Sequence, residues 1–349
     1  MKIDADFAGG NVKIVKVTDN EAWLEPDLSD TSDEWFYFNF RVRGAAGKTV
    51  IFRMGGVPYG YVSPFGPAVS SDGVHYAFCP EKTKIDAFSF RYGFGADEDE
   101  KYFAFSLPYT AERFYDFAAK NGFEPFEFAR SEQGRVVPAL RFGAGEETVL
   151  FTCRHHCCES VASYVLEGAL TEIRDLPISK KFGFLVVPMV DIDGVENGDQ
   201  GKNRIPHDHN RDYLEETSLY ASVRAIKNAV EHEKLRAFCD FHDPWNYGGE
   251  NDNVQFVYDK NPDSDLDRLA SILERLTAED KIPFCAKNGV PLGVRWNQPS
   301  PNAKDYCVRR GAEISVSIET PYFGLVKPEE EDFRTLGKKI ARALDEYFK

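Results

Sequence analysis

The run Val149-Leu150-Phe151-Thr152-Cys153-Arg154-His155-His156-Cys157-Cys158-Glu159-Ser160 decides how this chain is read. It begins as an apolar strand and is followed by Val161-Ala162, which opens a helical pattern through Tyr164, Val165 and Leu166. The edge where a strand hands over to a helix is where open α/β sheets place their chemistry. Here that edge carries His156 and Glu159 in the spacing His-x-x-Glu, so an imidazole nitrogen and a carboxylate oxygen can reach one ion. With seven His and 57 acidic residues in the chain, such a pair arises by chance about as often as not, and it needs a third ligand.

Outward from this point, strand and helix patterns alternate. Val136–Phe142 and Thr148–Phe151 read as a hairpin around Gly143-Ala144-Gly145, followed by a helix from Ser160 to Glu172 and a strand from Phe182 to Val187. Further on come a helix over 217–232, strands over 236–241 and 254–258, a helix over 264–277, a strand over 314–318 and a last helix over 331–347. This predicts a mixed α/β sheet with helices on both faces. Towards the N-terminus the pattern is short and alternating. Val12–Val17, Trp35–Val42, Thr49–Arg53 and Tyr102–Phe105 read as strands, which predicts an antiparallel β-sandwich. The register changes after Pro108, where Thr110 is a plausible cap for a helix over 111–120. The expected division is therefore a β-sandwich domain over 1–108 and an α/β domain over 109–349.

Composition narrows the class. The chain has 349 residues, 42% hydrophobic and 28% charged, with a formal charge of −15, which argues against a nucleic-acid surface. Met1–Asp6 lacks the apolar core of a signal peptide and no window reaches membrane-span length. Seven cysteines, two of them adjacent, fit no disulfide framework; reduced thiols and a cytoplasmic location are expected.

Three further stretches carry chemistry. Ala237-Phe238-Cys239-Asp240-Phe241-His242-Asp243-Pro244 ends a buried-looking strand on His242, a partner for His156 and Glu159. Gly183–Val195 runs as a strand into Asp191-Ile192-Asp193-Gly194-Val195, followed by Lys202-Asn203-Arg204 and Asp208-His209-Asn210-Arg211-Asp212-Tyr213. Ile314–Glu319 is a strand ending on a carboxylate.

In this order the stretches resemble the zinc carboxypeptidases of the M14 (funnelin) family, and the aromatic N-terminal part resembles the domain that precedes the catalytic one in cytosolic carboxypeptidases. Asp191-Ile192-Asp193 stands where the family has Asn-Pro-Asp, and Asp212 stands for a second Asn. The resemblance implies one Zn2+ per chain held by His156, Glu159 and His242, with Glu319 as general base and Arg204 stabilising the oxyanion. Asn210 and Arg211 would hold the C-terminal carboxylate of a peptide or protein substrate. Neither nucleic acid nor membrane is an expected partner. Lys304, fifteen positions before Glu319, would favour a C-terminal Glu or Asp. Tyr306 is a nearby candidate for the tyrosine that many relatives swing over the substrate.

Other readings stay open. His207, His209 and Asp212 are themselves ligand types. Cys157 and Cys158 replace the Pro-Gly of many relatives, and thiolates bind zinc well. Asp240 either orients a ligand or solvates a strand end. The same zinc site would also suit an amidase or deacylase acting on a non-protein amide, and a catalytically inactive peptide-binding relative is the third alternative.

Overall fold

The structure, a computed structural model, describes residues 1–79, 83–259 and 264–349. Among these residues ten strands precede the first α-helix: β1 (Lys2–Asp4), β2 (Lys13–Val17), β3 (Glu21–Glu25), β4 (Asn39–Arg43), β5 (Thr49–Met54), β6 (Ala68–Ser70), β7 (Ala77–Phe78), β8 (Lys84–Asp86), β9 (Ser89–Gly93) and β10 (Glu100–Ala104). They form two five-stranded sheets, ordered β1-β4-β10-β6-β7 and β2-β3-β5-β9-β8. The sheets face one another through Phe40 and Phe103 on one side and Phe52 and Phe90 on the other, with Phe52 5.1 Å and Phe90 5.8 Å from Phe103 between ring centroids. The alternating apolar residues bury these rings, which is the main stabilisation such a sandwich has. One pair departs from the antiparallel expectation: β3 and β5 run parallel.

The aromatic run Trp35–Phe38, expected to be strand, lies outside β4. At Tyr37 the backbone is partnered by a side chain instead, with the Tyr37 amide donating to Gln200 Oε1 at 2.9 Å and Gln200 Nε2 donating to the Tyr37 carbonyl at 3.0 Å.

The rest of the chain runs α1 (Ala111–Asn121), β11 (Phe126–Arg130), β12 (Val136–Gly143), β13 (Glu147–Cys153), α2 (Val161–Ile173), α3 (Ile178–Lys181), β14 (Gly183–Val187), α4 (Ile192–Asn197) and α5 (Ala221–His232). It continues with β15 (Lys234–His242), β16 (Gln255–Tyr258), α6 (Leu266–Thr277), β17 (Val290–Pro291), α7 (Ala303–Arg309), β18 (Ile314–Glu319) and α8 (Glu330–Tyr347). One mixed sheet results, ordered β11-β12-β14-β13-β15-β18-β16-β17. Every residue of β18 is buried, so both faces are covered.

The hairpin expected between β12 and β13 does not form, because β14 lies between them, antiparallel to β12 and parallel to β13. The Gly143–Gly145 turn is packed against the chain entering β14: a Cβ on Gly143 would meet the Phe182 carbonyl, and one on Gly145 the Lys181 carbonyl. Glycine there admits the intervening strand. The hairpin in this region joins β11 to β12.

Helix α2, which leaves the His156–Glu159 loop, is held against α8 by two glycines. A Cβ on Gly168 would collide with the Arg334 carbonyl and one on Gly337 with the Val165 carbonyl, so the two backbones touch. Gly168→Ala is expected to destabilise the protein by about 2 kcal/mol or more, because overpacking outweighs the ~1 kcal/mol that Ala adds to helix propensity. Urea unfolding checks this, and an unchanged midpoint would refute the tight crossing.

Candidate metal centre and active site

Parallel neighbours β13, β15 and β18 end at one edge of the sheet, and His242 and Glu319 are direct register partners there. After Cys153 the chain reverses through Arg154, whose φ of +61° lies in the left-handed region. Arg154 Nε donates to the Cys157 carbonyl at 2.8 Å and Nη1 to the Tyr109 carbonyl at 2.9 Å, which fixes the loop. The loop then enters α2, where Ser160 makes no side-chain cap; the buried Asp243 accepts from the Val161 amide at 3.0 Å instead.

The arrangement brings His156, Glu159 and His242 together, with ligand atoms within 4.8 Å of one another. His156 Nδ1 lies 2.9 Å from Glu159 Oε1 and His242 Nδ1 2.6 Å from Glu159 Oε2. Each imidazole turns its other nitrogen to a second carboxylate. His242 Nε2 is 2.6 Å from Asp240 Oδ2, and His156 Nε2 is 3.6 Å from Asp208 Oδ1. Such partners fix ring orientation and leave both Nδ1 atoms facing one point. Asp240 is braced in turn by Thr152 Oγ1 at 2.7 Å and by His155 Nδ1 at 2.8 Å, and His155 Nε2 meets the Tyr213 hydroxyl at 2.7 Å. Asp240 is therefore fixed against His242 inside the fold and does not solvate a strand end.

The donor set fits a zinc ion, which favours two imidazoles and a carboxylate with one open position. The electrostatics also fit a cation. Burial opposes charge on Glu159, yet Lys202, His156 and His242 hold its carboxyl well below the usual range. Lys202 Nζ stands 2.5 Å from Glu159 Oε1, a positive group against the ligand carboxylate. On Glu319, 7% exposed, burial prevails over the neighbouring cations and pushes the carboxyl up to about 7.

Arg204 is committed elsewhere. Its Nη2 lies 2.8 Å from Asp199 Oδ2 and 3.0 Å from Asp191 Oδ2, and its Nε 3.2 Å from Asp30 Oδ2. Asp191 also caps α4, accepting from the Gly194 amide at 2.9 Å. The cation beside the cluster is Lys202, which sequence reasoning passed over. Its ammonium sits 4.4 Å from the centroid of the Trp35 ring. The loop that carries it is tied to the N-terminal residues. Asp30 accepts from the amides of Gln200 at 3.0 Å and Gly201 at 2.8 Å, and the Gly9 amide donates to the Glu196 carbonyl at 2.9 Å.

Cys157 and Cys158 are buried and join no ligand group among the described residues. Burial pushes Cys158 up to about 12 and Cys157 well above the usual thiol range, so both are neutral thiols. All seven cysteines are free. His207 and His209 stand apart from the cluster. His207 Nε2 bonds Asp212 at 2.7 Å, and the His209 ring stacks on Tyr220 with centroids 3.6 Å apart. Tyr306 is fully buried and donates to Glu231 at 2.6 Å, so it is no cap over the cleft.

Two contiguous cavities flank the cluster and share His156, Arg211, Trp296 and Glu319. The inner one, about 60 Å³, is walled by Asn210, Ser317 and Lys304. Lys304 is buried there and paired to Asp259 at 2.9 Å. The outer one, about 650 Å³, opens past Trp35, Lys202 and Trp245. Among the described residues Arg211 makes no ion pair; its Nη1 donates to the neighbouring Asn210 carbonyl at 3.4 Å. A buried mouth with an uncommitted guanidinium suits an incoming carboxylate.

Residues 3–106 match the family model for the cytosolic carboxypeptidase N-terminal domain. Human cytosolic carboxypeptidase 6 is 28% identical over 269 residues, covering 65% of this chain and 52% of that protein. The chain thus spans about half the length of that curated relative. Among solved structures, a metallo-carboxypeptidase from Burkholderia cenocepacia superposes with a TM-score of 0.81 at 19% identity, covering 99% of this chain and 98% of that one. A metallo-carboxypeptidase from Pseudomonas aeruginosa, in complex with (2-guanidinoethylmercapto)succinic acid, gives 0.78 at 22% identity, covering 99% and 98%. At these identities the two structures show a shared fold. No helix among the described residues is long and apolar enough to cross a membrane.

Proposed function

We propose that this chain, whose residues 3–106 match the cytosolic carboxypeptidase N-terminal domain, is an M14-type zinc-dependent exopeptidase that removes the C-terminal residue of peptides or proteins in the cytoplasm. We assign the sandwich to residues 1–108 and the catalytic unit to 109–349. The observation that carries the reading is the pairing of a three-donor cluster with an uncommitted Arg211 across one continuous cleft.

His156, Glu159 and His242 would hold one zinc per chain, which when bound supplies Lewis acidity to a water and a carbonyl. Glu319 takes the proton of the attacking water and returns it to the leaving amine. Lys202, rather than Arg204, stabilises the developing oxyanion, since its ammonium borders the cluster while Arg204 is bound to Asp30, Asp191 and Asp199. Asn210 and Arg211 hold the terminal carboxylate, which limits cleavage to the last residue. The inner pocket takes the departing side chain. Lys304 supports an acidic preference there, moderated because a substrate carboxylate must share it with Asp259.

The test is metal content together with residue release from a panel of peptides with free and blocked C-termini. About one zinc per chain and release from free termini are expected. Equal cleavage of blocked amides would replace the exopeptidase by an amidase. Lys304→Gln is expected to lower the ratio of Glu to Leu release roughly three- to tenfold, and an unchanged ratio would remove Lys304 from specificity.

A further inference from the structure

The outer cavity differs in character from the inner pocket. Three of its walls are tryptophans: Trp35 from the N-terminal part, Trp245 from the loop after β15, and Trp296 from the loop after β17. Two of them are mounted rather than loose. Trp245 packs edge-on to Tyr59 at 4.9 Å and to Phe36 at 6.5 Å between centroids, both residues of the N-terminal part. Trp35 carries the Lys202 ammonium on its ring and donates through Nε1 to Asn203 Oδ1 at 3.2 Å. Trp296 lines both cavities and so stands where the inner pocket opens into the outer one.

The charged groups of this cavity are largely spent on one another. Lys202 faces Glu159, Arg204 faces Asp30, Asp191 and Asp199, His207 faces Asp212, and Asp208 faces His156. Arg211 is shared with the inner pocket, where the terminal carboxylate would claim it. Once Arg211 holds the terminal carboxylate, an acidic chain entering here finds no further uncommitted cation among the described residues, and it approaches a protein of formal charge −15. A large apolar ring finds three aromatic walls, and their burial against it is favourable.

We propose that the outer cavity is a subsite for an aromatic or large aliphatic side chain on the residue immediately upstream of the scissile bond. Trp35, Trp245 and Trp296 select it. The substrate class is therefore peptides with an apolar penultimate residue, not acidic tails. Trp35 comes from the N-terminal part and Trp245 rests on Tyr59 and Phe36 of that part, so it reads the substrate as well as scaffolding the loop. The orientation of the peptide rests on the carboxypeptidase reading; the aromatic selectivity does not.

The experiment uses N-blocked dipeptides with one fixed C-terminal residue and Phe, Leu, Gly or Glu before it. Trp245 and Trp296 are 46% and 55% exposed, so Trp245→Ala and Trp296→Ala test the subsite without emptying a core. Wild type is expected to prefer Phe over Glu by roughly tenfold or more in kcat/KM, and the double variant to bring that ratio towards one. Binding of the same peptides to zinc-loaded Glu319→Gln, read by equilibrium dialysis, separates the two claims. Selective binding of the Phe peptide without turnover by wild type would refute the exopeptidase and leave the subsite standing. Equal binding of Phe and Glu peptides, or a preference unchanged by the double variant, would overturn the subsite.

Discussion

Glu319→Gln is expected to lower kcat by roughly 10³-fold, within the 10²–10⁴ that a positioned proton acceptor contributes, while zinc content stays at that of the wild type. Gln keeps the shape of Glu in a buried position, so the fold has little reason to change. What it loses is the basic carboxylate that accepts a proton. Glu319 is held beside His242 by strand register, so no loop movement can substitute another carboxylate. Kinetics on a blocked dipeptide, with metal content and melting temperature on the same preparation, check this. Activity within tenfold of wild type at equal zinc would take the base role away from Glu319.

Lys202 and Arg204 should separate into an activity variant and a folding variant. Lys202→Ala is expected to cost roughly 10²–10³ in kcat, the size of one lost oxyanion donor, with Lys202→Arg recovering part of it and KM changing less than kcat. Arg204→Ala removes the guanidinium shared by Asp30, Asp191 and Asp199, of which Asp191 is fully enclosed. Breaking a buried ion pair from one side costs about 3–5 kcal/mol, so unfolding should begin at markedly lower urea. The assignment would be reversed if Arg204→Ala unfolded like wild type with its turnover gone, and Lys202→Ala kept its kcat.

What the chain disclosed about itself followed from position on strands. His156, Glu159, His242 and Glu319 were legible because each lies at or just beyond a strand's C-terminal end, and β13, β15 and β18 are parallel neighbours. Their convergence is a consequence of sheet order alone. Lys202 was not legible, because it lies two residues from Arg204 in a stretch with no period. The choice between the two is made by Asp30, far away in sequence. Trp35 was hidden for the same reason: its aromatic neighbours read as a strand, whereas at Tyr37 the backbone partner is the side chain of Gln200. The misread hairpin shows the limit of turn chemistry, since Gly143 and Gly145 make room for a third strand as readily as they reverse a chain.

Asp30 and Gln200 couple two parts of the chain whose strand patterns could otherwise be exchanged. A sandwich grafted at the junction between β10 and α1 would have to bring a carboxylate in the place of Asp30 to hook the amides of Gln200 and Gly201. Substitutions at Asp30 are then compatible only with matching ones in the loop. The two segments are expected to be inherited as a unit, and recombination inside the gene would have to preserve both or lose Lys202's place in the cleft.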